Sequence, residues 1–253
     1  MKTNLYDETK EKYIYNPKKE TPNTLNKKIK ISVNKSFVFA MLNVFINGLL
    51  GGIAFSIGAT AYLSISNKAV GAAVFAVGMF MIFAYGFGFF TSKICYSLKN
   101  NKQQNLALLP LWLGNLIGAF SVGGLLSLTR ENVSNTIYTR ANQLCLELAK
   151  DSMLSIIILS FFCGIIMFVV TDNYKNAKNS AQKYLALFLG TMTFLLCGFD
   201  HFVSSAFFFA ATSALSIKTF WCIILITIGN SLGALAIPFI YSCVKKLQKK
   251  VNN

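Results

Sequence analysis

Residues 197–213, CGFDHFVSSAFFFAATS, hold the only histidine of the 253-residue chain, His201, beside the one acid set deep in an apolar stretch, Asp200. An imidazole titrates near neutral pH, with an unperturbed value of about 6.5, so it is the side chain best suited to share a proton with a weak acid. Hydrocarbon tolerates no unsatisfied polar group. An embedded His-Asp pair therefore either serves a pore or satisfies backbone groups freed by a helix break. Little else in the chain suggests chemistry. The six cysteines (Cys95, Cys145, Cys163, Cys197, Cys222 and Cys243) show no CxxC spacing and read as small apolar packing residues. No metal, disulfide framework or cofactor is expected. Glu131, Glu147 and Asp151 with Arg130 and Arg140 could form an outer-loop site, but a solvated loop is the simpler reading.

The elements that must position His201 are membrane spans. The chain is 54% hydrophobic and 13% charged, about half the charge of a soluble domain. Six apolar blocks, 37–66, 69–90, 105–128, 152–171, 184–216 and 219–244, can each cross a hydrocarbon core of about 30 Å. The fifth is too long for one helix and is interrupted at GFDH; the second ends in YGFGFFTSKICYS. The net charge of +15 sits in Lys-rich segments flanking the blocks, as topology alone requires, so nucleic acid is not an expected partner. Lysines at 93, 99, 102, 175, 178, 183, 245, 246, 249 and 250 fall on the side of the basic N-terminal tail. Lys68, Arg130, Arg140, Lys150 and Lys218 fall on the other. Both termini are therefore expected in the cytoplasm of a multi-pass plasma-membrane protein. Residues 1–30 read as a polar tail, 31–247 as the membrane domain and 248–253 as a short basic tail.

The two halves echo one another. Span three contains WLGNLIGAFS and span six TIGNSLGALA, which place Asn115 and Asn230 in matching GN-x-x-GA contexts. From Gly52 the steps are 39 to Thr91 and 24 to Asn115; from Gly164 they are 37 to His201 and 29 to Asn230. Three spans per half make the second copy inverted, with spans two and five broken. That is the sequence pointer to a midplane transport site.

With these motifs in hand, the chain resembles the formate/nitrite transporter family over about residues 35–245. LLGGIAFSIGA is similar to the glycine pattern of the family's first span, FFTSK to its LFTGN loop, LWLGNLIGA to GNLxGA, and CGFDH to GFEH. The resemblance implies a homopentamer of aquaporin-like six-helix protomers, each passing small monovalent anions such as formate, nitrite, lactate or hydrosulfide. Departures are Ser92-Lys93 for Gly-Asn, Asp200 for Glu, Ser204-Ser205 for Ala-Asn, and Gly164 where many members have Asn.

An unpaired charge is rejected by an apolar pore, and protonating it removes most of that barrier. His201 is the expected proton-sharing group. Thr91 either bonds across to it or caps its own loop, and Asp200 caps or holds the break. The resemblance implies apolar slits around the histidine, for which Phe75, Met79, Phe194 and Phe199 are candidates, with Phe89 and Phe90 in the loop between. Lys35 and Lys150 are candidate vestibule lysines that would concentrate anions; snorkelling to the interface is their alternative. An aquaporin-like neutral-solute channel is the competing function, although the Asn-Pro-Ala motif is absent and neither Pro110 nor Pro238 follows Asn. A membrane enzyme lacks a clustered nucleophile and base.

Overall fold

The computed structural model describes residues 25–130 and 136–251, with side chains from Phe37 onward except those of Lys249 and Val251. The expected tail thus lies largely outside the described residues, as does Glu131. All regular structure among the described residues is helical: α1 (Leu25–Ser64), α2 (Lys68–Tyr85), α3 (Phe90–Ile94), α4 (Lys102–Leu106), α5 (Leu108–Ser127), α6 (Thr136–Lys150), α7 (Met153–Asn176), α8 (Ser180–Leu196), α9 (Phe202–Ala211) and α10 (Ile217–Val251). Five stretches, Phe37–Ser64, Lys68–Tyr85, Lys102–Ser127, Met153–Asn176 and Ile217–Gln248, are long and apolar enough to cross a membrane. The oversized fifth block is divided between α8, 17 residues, and α9, 10 residues. Helices close their own hydrogen bonds, which is why an apolar chain in lipid takes this form. Where the chain reverses, side chains take over: Asn67 accepts from Ala69 N and Val70 N, Ser152 from Ser155 N, and Asn179 from Gln182 N.

The repeat is visible bond by bond. The steps from Ser64 to Asn176 (ends of α1 and α7), Asn67 to Asn179 (caps of α2 and α8) and Gly86 to Gly198 are each 112 residues. Both glycines sit in the left-handed region, at φ 70° and 71°, where a side chain would be strained. Each is followed by the same turn: Phe87 N donates to Ile82 O and Phe199 N to Phe194 O, both at 2.9 Å. Each short helix docks on long helices of both halves, α9 on α5, α1 and α10, α3 on α10, α7 and α5. Three residues touch those at the matching positions of the other half. Phe89 stacks on His201 at 5.3 Å, Phe90 meets Phe202 edge-on at 5.6 Å, and Trp112 Nε1 donates to Thr227 Oγ1 at 3.1 Å.

Close crossings hold the long helices together. A Cβ on Gly52 would collide with the Asn115 carbonyl, and one on Gly164 with the Asn230 carbonyl. Only glycine allows backbones to approach that far.

The stretch after α5 differs from the solvated loop expected. Residues Thr136–Lys150 form the amphipathic α6, which buries Ile137, Ala141, Cys145 and Leu148 and packs on α9 and α1. Its spacing of i, i+4, i+8 and i+11 was legible as a helical stripe. Arg140 caps the end of α1, donating from Nη1 to Leu63 O at 3.0 Å and to Ile65 O, and from Nη2 to Ser66 O at 2.8 Å. These carbonyls lack helical partners. Arg140→Met is expected to lower stability by about 1.5–3 kcal/mol, the worth of hydrogen bonds from a charged donor. Differential scanning fluorimetry in detergent reads it as a Tm several degrees below wild type; an unchanged Tm would remove the cap from the account.

Candidate functional site

The site is made by the two interruptions. After each left-handed glycine the chain runs extended, through Phe89 (φ −135°, ψ 120°) and His201 (φ −122°, ψ 130°), and then restarts as α3 or α9. Extended backbone between helices leaves amides and carbonyls without partners, which cannot stand in an apolar interior. Two fully buried asparagines supply those partners in the same pattern. Asn115 Oδ1 accepts from Phe90 N at 2.8 Å, and its Nδ2 donates to Gly88 O at 2.9 Å and Gly48 O at 2.7 Å. Asn230 Oδ1 accepts from Phe202 N at 3.1 Å, and its Nδ2 donates to Asp200 O and Ser160 O, both at 2.8 Å. Both hydrogens of each amide are engaged with backbone.

These bonds set the register between the halves. Phe90 corresponds to Phe202, so His201 corresponds to Phe89 and Thr91 to Val203. Pairing Thr91 with His201 as equivalents, as their spacing suggests, is two residues out. The two are partners instead: Thr91 Oγ1 lies 3.2 Å from His201 Nε2, and both residues are buried. On the ring's other edge, Val203 N donates to His201 Nδ1 at 3.3 Å. A neutral imidazole cannot accept at both nitrogens. With Nδ1 accepting from an amide, the proton resides on Nε2 and is donated to Thr91 Oγ1.

Around this pair the environment is aromatic. His201, 1% exposed, stacks on Phe55 (4.9 Å) and Phe89 (5.3 Å), with Phe202 at 5.1 Å and Phe194 at 6.3 Å. Phe75 continues the cluster, edge-on to Phe55 at 4.9 Å and to Phe194 at 5.7 Å. Met79 is buried one turn below Phe75 on α2. Phe199 lies elsewhere, half-buried and stacked at 5.6 Å on Phe162, an exposed residue. Asp200 joins the break through its backbone carbonyl, while its Oδ2 is buried with no hydrogen-bond partner among the described residues. Lys150 is exposed at the end of α6. Lys35 lies on α1, its side chain outside the described residues. Sequence reasoning missed Phe55, one of 23 phenylalanines and set apart only by the imidazole it stacks on. Among the described residues no three His, Cys, Asp or Glu lie together as metal ligands.

Apolar helices broken at a buried polar pair, their loose backbone held by amides from neighbouring spans, define a polytopic membrane protein of the channel or carrier class. The sequence pattern of the formate/nitrite transporter family matches residues 22–243. The chain belongs to that family, and is accordingly a channel or transporter for small anions. Among solved structures it resembles a pentameric formate channel with formate bound (TM-score 0.70, 19% identity, 82% of this chain and 98% of that one). It also resembles a formate/nitrite transporter family ion channel (TM-score 0.65, 17% identity, 84% of this chain and 93% of that one). At those identities the likeness is one of fold. No curated protein matches the chain.

Proposed function

We propose that this protein passes the monovalent anions of small weak acids, formate, nitrite, lactate or hydrosulfide. Each takes a proton from solvent water polarised at the His201–Thr91 centre, with the hydroxide left on the entry side, and crosses as the neutral acid. The observation that carries the reading is the contact between Thr91 Oγ1 and His201 Nε2 inside a shell of phenyl rings. A charged solute in such a shell loses its hydration with little in exchange, whereas its conjugate acid crosses with a far smaller penalty. Nε2–H is held toward Thr91, and the threonine hydroxyl can turn its own hydrogen to an oxyanion. Phe55, Phe75 and Phe194 form an aromatic constriction on one side of the histidine. Asn115 and Asn230 act here as clamps on the half-helices, since their amide hydrogens are already engaged. Lys35 and Lys150 draw anions toward the two mouths. The two helix triplets cross the bilayer in opposite senses, six crossings in all, with both termini in the cytoplasm and the plasma membrane as the site of action. Likeness to a pentameric channel supports a homopentamer.

The test is flux. In proteoliposomes loaded with a pH-reporting dye, an inward formate gradient is expected to change lumenal pH at least about tenfold faster than in empty vesicles, beyond the passive leak of formic acid. Stopped-flow light scattering on the same vesicles is expected to show water permeability no higher than that of empty ones. Fast water movement without anion flux would favour the neutral-solute alternative.

A further inference from the structure

The end of α10 carries a feature that anion passage does not use. Trp221 and Tyr241 are both exposed on this helix and stand 20 residues apart, about 30 Å at 1.5 Å per residue. That is the thickness of a hydrocarbon core, and tryptophan and tyrosine are the residues that settle at its two boundaries. The helix does not stop at Tyr241. It continues to Val251 and there carries four lysines in six residues, Lys245, Lys246, Lys249 and Lys250. Measured from Tyr241, they stand about 6–14 Å beyond the hydrocarbon edge, the depth of the phosphate and headgroup layer.

Lys245, Lys246 and Lys250 are exposed; Lys245 Nζ lies 5.6 Å over the Tyr241 ring. Val244 and Leu247, also exposed, fall on the opposite side of the helix at 100° per residue, so the last turns are basic on one face and apolar on the other. No Asp or Glu follows Asp200 in the sequence, so nothing on this helix neutralises the run. The outer end contrasts with it. The single lysine there, Lys218, donates to Ala149 O at 3.2 Å and so serves the protein itself. Two further lysines on the Lys-rich side lie closer over tyrosines than Lys245 does, Lys183 at 3.9 Å from the Tyr174 ring and Lys175 at 4.7 Å from the Tyr96 ring. A topology signal needs only an excess of positive charge. A run of lysines carried on a continuous helix about one to three turns past Tyr241, with an apolar stripe behind it, makes a surface that fits a particular ligand.

We propose that the basic end of α10 is a binding surface for anionic phospholipid headgroups of the cytoplasmic leaflet, its lysines engaging phosphates while Val244 and Leu247 lie against acyl chains. The full-length protein reconstituted in phosphatidylcholine vesicles tests this with spin-labelled phosphatidylglycerol and spin-labelled phosphatidylcholine as probes. The motionally restricted lipid fraction in the electron spin resonance spectrum is the readout. Wild type is expected to prefer phosphatidylglycerol by at least about threefold at low salt, falling as salt screens the lysines. Lys245→Gln, Lys246→Gln, Lys249→Gln and Lys250→Gln together are expected to bring the preference close to parity, and the four-arginine counterpart to keep it. Gel filtration identifies variants that retain the wild-type assembly. A wild-type preference near one, or a preference that survives the four glutamines, overturns the proposal. So does retention of a short RNA by the detergent-solubilised protein when no lipid preference is seen. The readout involves no transport, so it stands or falls separately from the anion pathway.

Discussion

His201→Phe is expected to yield a protein that assembles normally yet carries formate at least about 100-fold more slowly in proteoliposomes, the scale on which a positioned acid–base group contributes. Normal assembly follows from the repeat. The counterpart of His201 is already a phenylalanine, Phe89, in the same extended conformation and at the start of the matching half-helix. A phenyl ring therefore fits this backbone, and the neighbours at position 201 are themselves phenyl rings. What is lost is the Nε2 contact with Thr91 and the Nδ1 acceptor for Val203 N. His201→Asn separates the two losses, since its carbonyl oxygen can still cap Val203 N but cannot exchange a proton near neutral pH. It is expected to be as inactive as the phenylalanine variant. Thr91→Val, which keeps the shape and removes the hydroxyl, is expected to retain about a tenth of wild-type flux. Undiminished transport by His201→Phe would refute proton sharing at this ring. Recovery of flux in His201→Asn would make the residue a helix cap and nothing more.

The sequence made the residues that meet at the break easier to find than their arrangement. The lone histidine, the GFDH interruption and the twin GN-x-x-GA motifs were conspicuous because hydrocarbon makes polar residues and broken helices expensive, so each needs a reason to be present. Element type was legible for the same reason, apolar blocks of membrane length having one common solution. Register was harder. The steps from Gly52 and Gly164 differ at both later landmarks, and it is the matched left-handed glycines and the hydrogen bonds of Asn115 and Asn230 that show Phe89, not Thr91, answering to His201. Phe55 was invisible because 23 phenylalanines offer no contrast, and a ring is singled out only by the neighbour it stacks on. Helix α6 was passed over because its charged residues drew attention, while its apolar stripe is only four residues long.

The two asparagines carry the other large expectation. Asn115→Leu and Asn230→Leu preserve volume and remove every polar contact that the amides make. The helical carbonyls Gly48 O and Ser160 O lie within α1 and α7, where intrahelical bonding remains open to them. In each break, however, one amide and one carbonyl depend on the asparagine: Phe90 N with Gly88 O, and Phe202 N with Asp200 O. At about 1–3 kcal/mol for each buried group left without a partner, either substitution forfeits about 2–6 kcal/mol, a large part of the stability of an ordinary domain. Fluorescence-detected size-exclusion chromatography after heating is expected to show each leucine variant losing its folded peak at least about 10 °C below wild type, or never forming one. The aspartates that keep the acceptor and lose the donors, Asn115→Asp and Asn230→Asp, are expected to fall between. Mild variants would add a functional contrast. A damaged Asn230 clamp loosens the residues on both sides of His201 and is expected to reduce flux more than stability, whereas a damaged Asn115 clamp loosens those flanking Phe89 and is expected to do the reverse. Leucine variants as heat-resistant as wild type would mean that something other than these amides holds the half-helices in place, and the imidazole would then owe its position to ring packing alone.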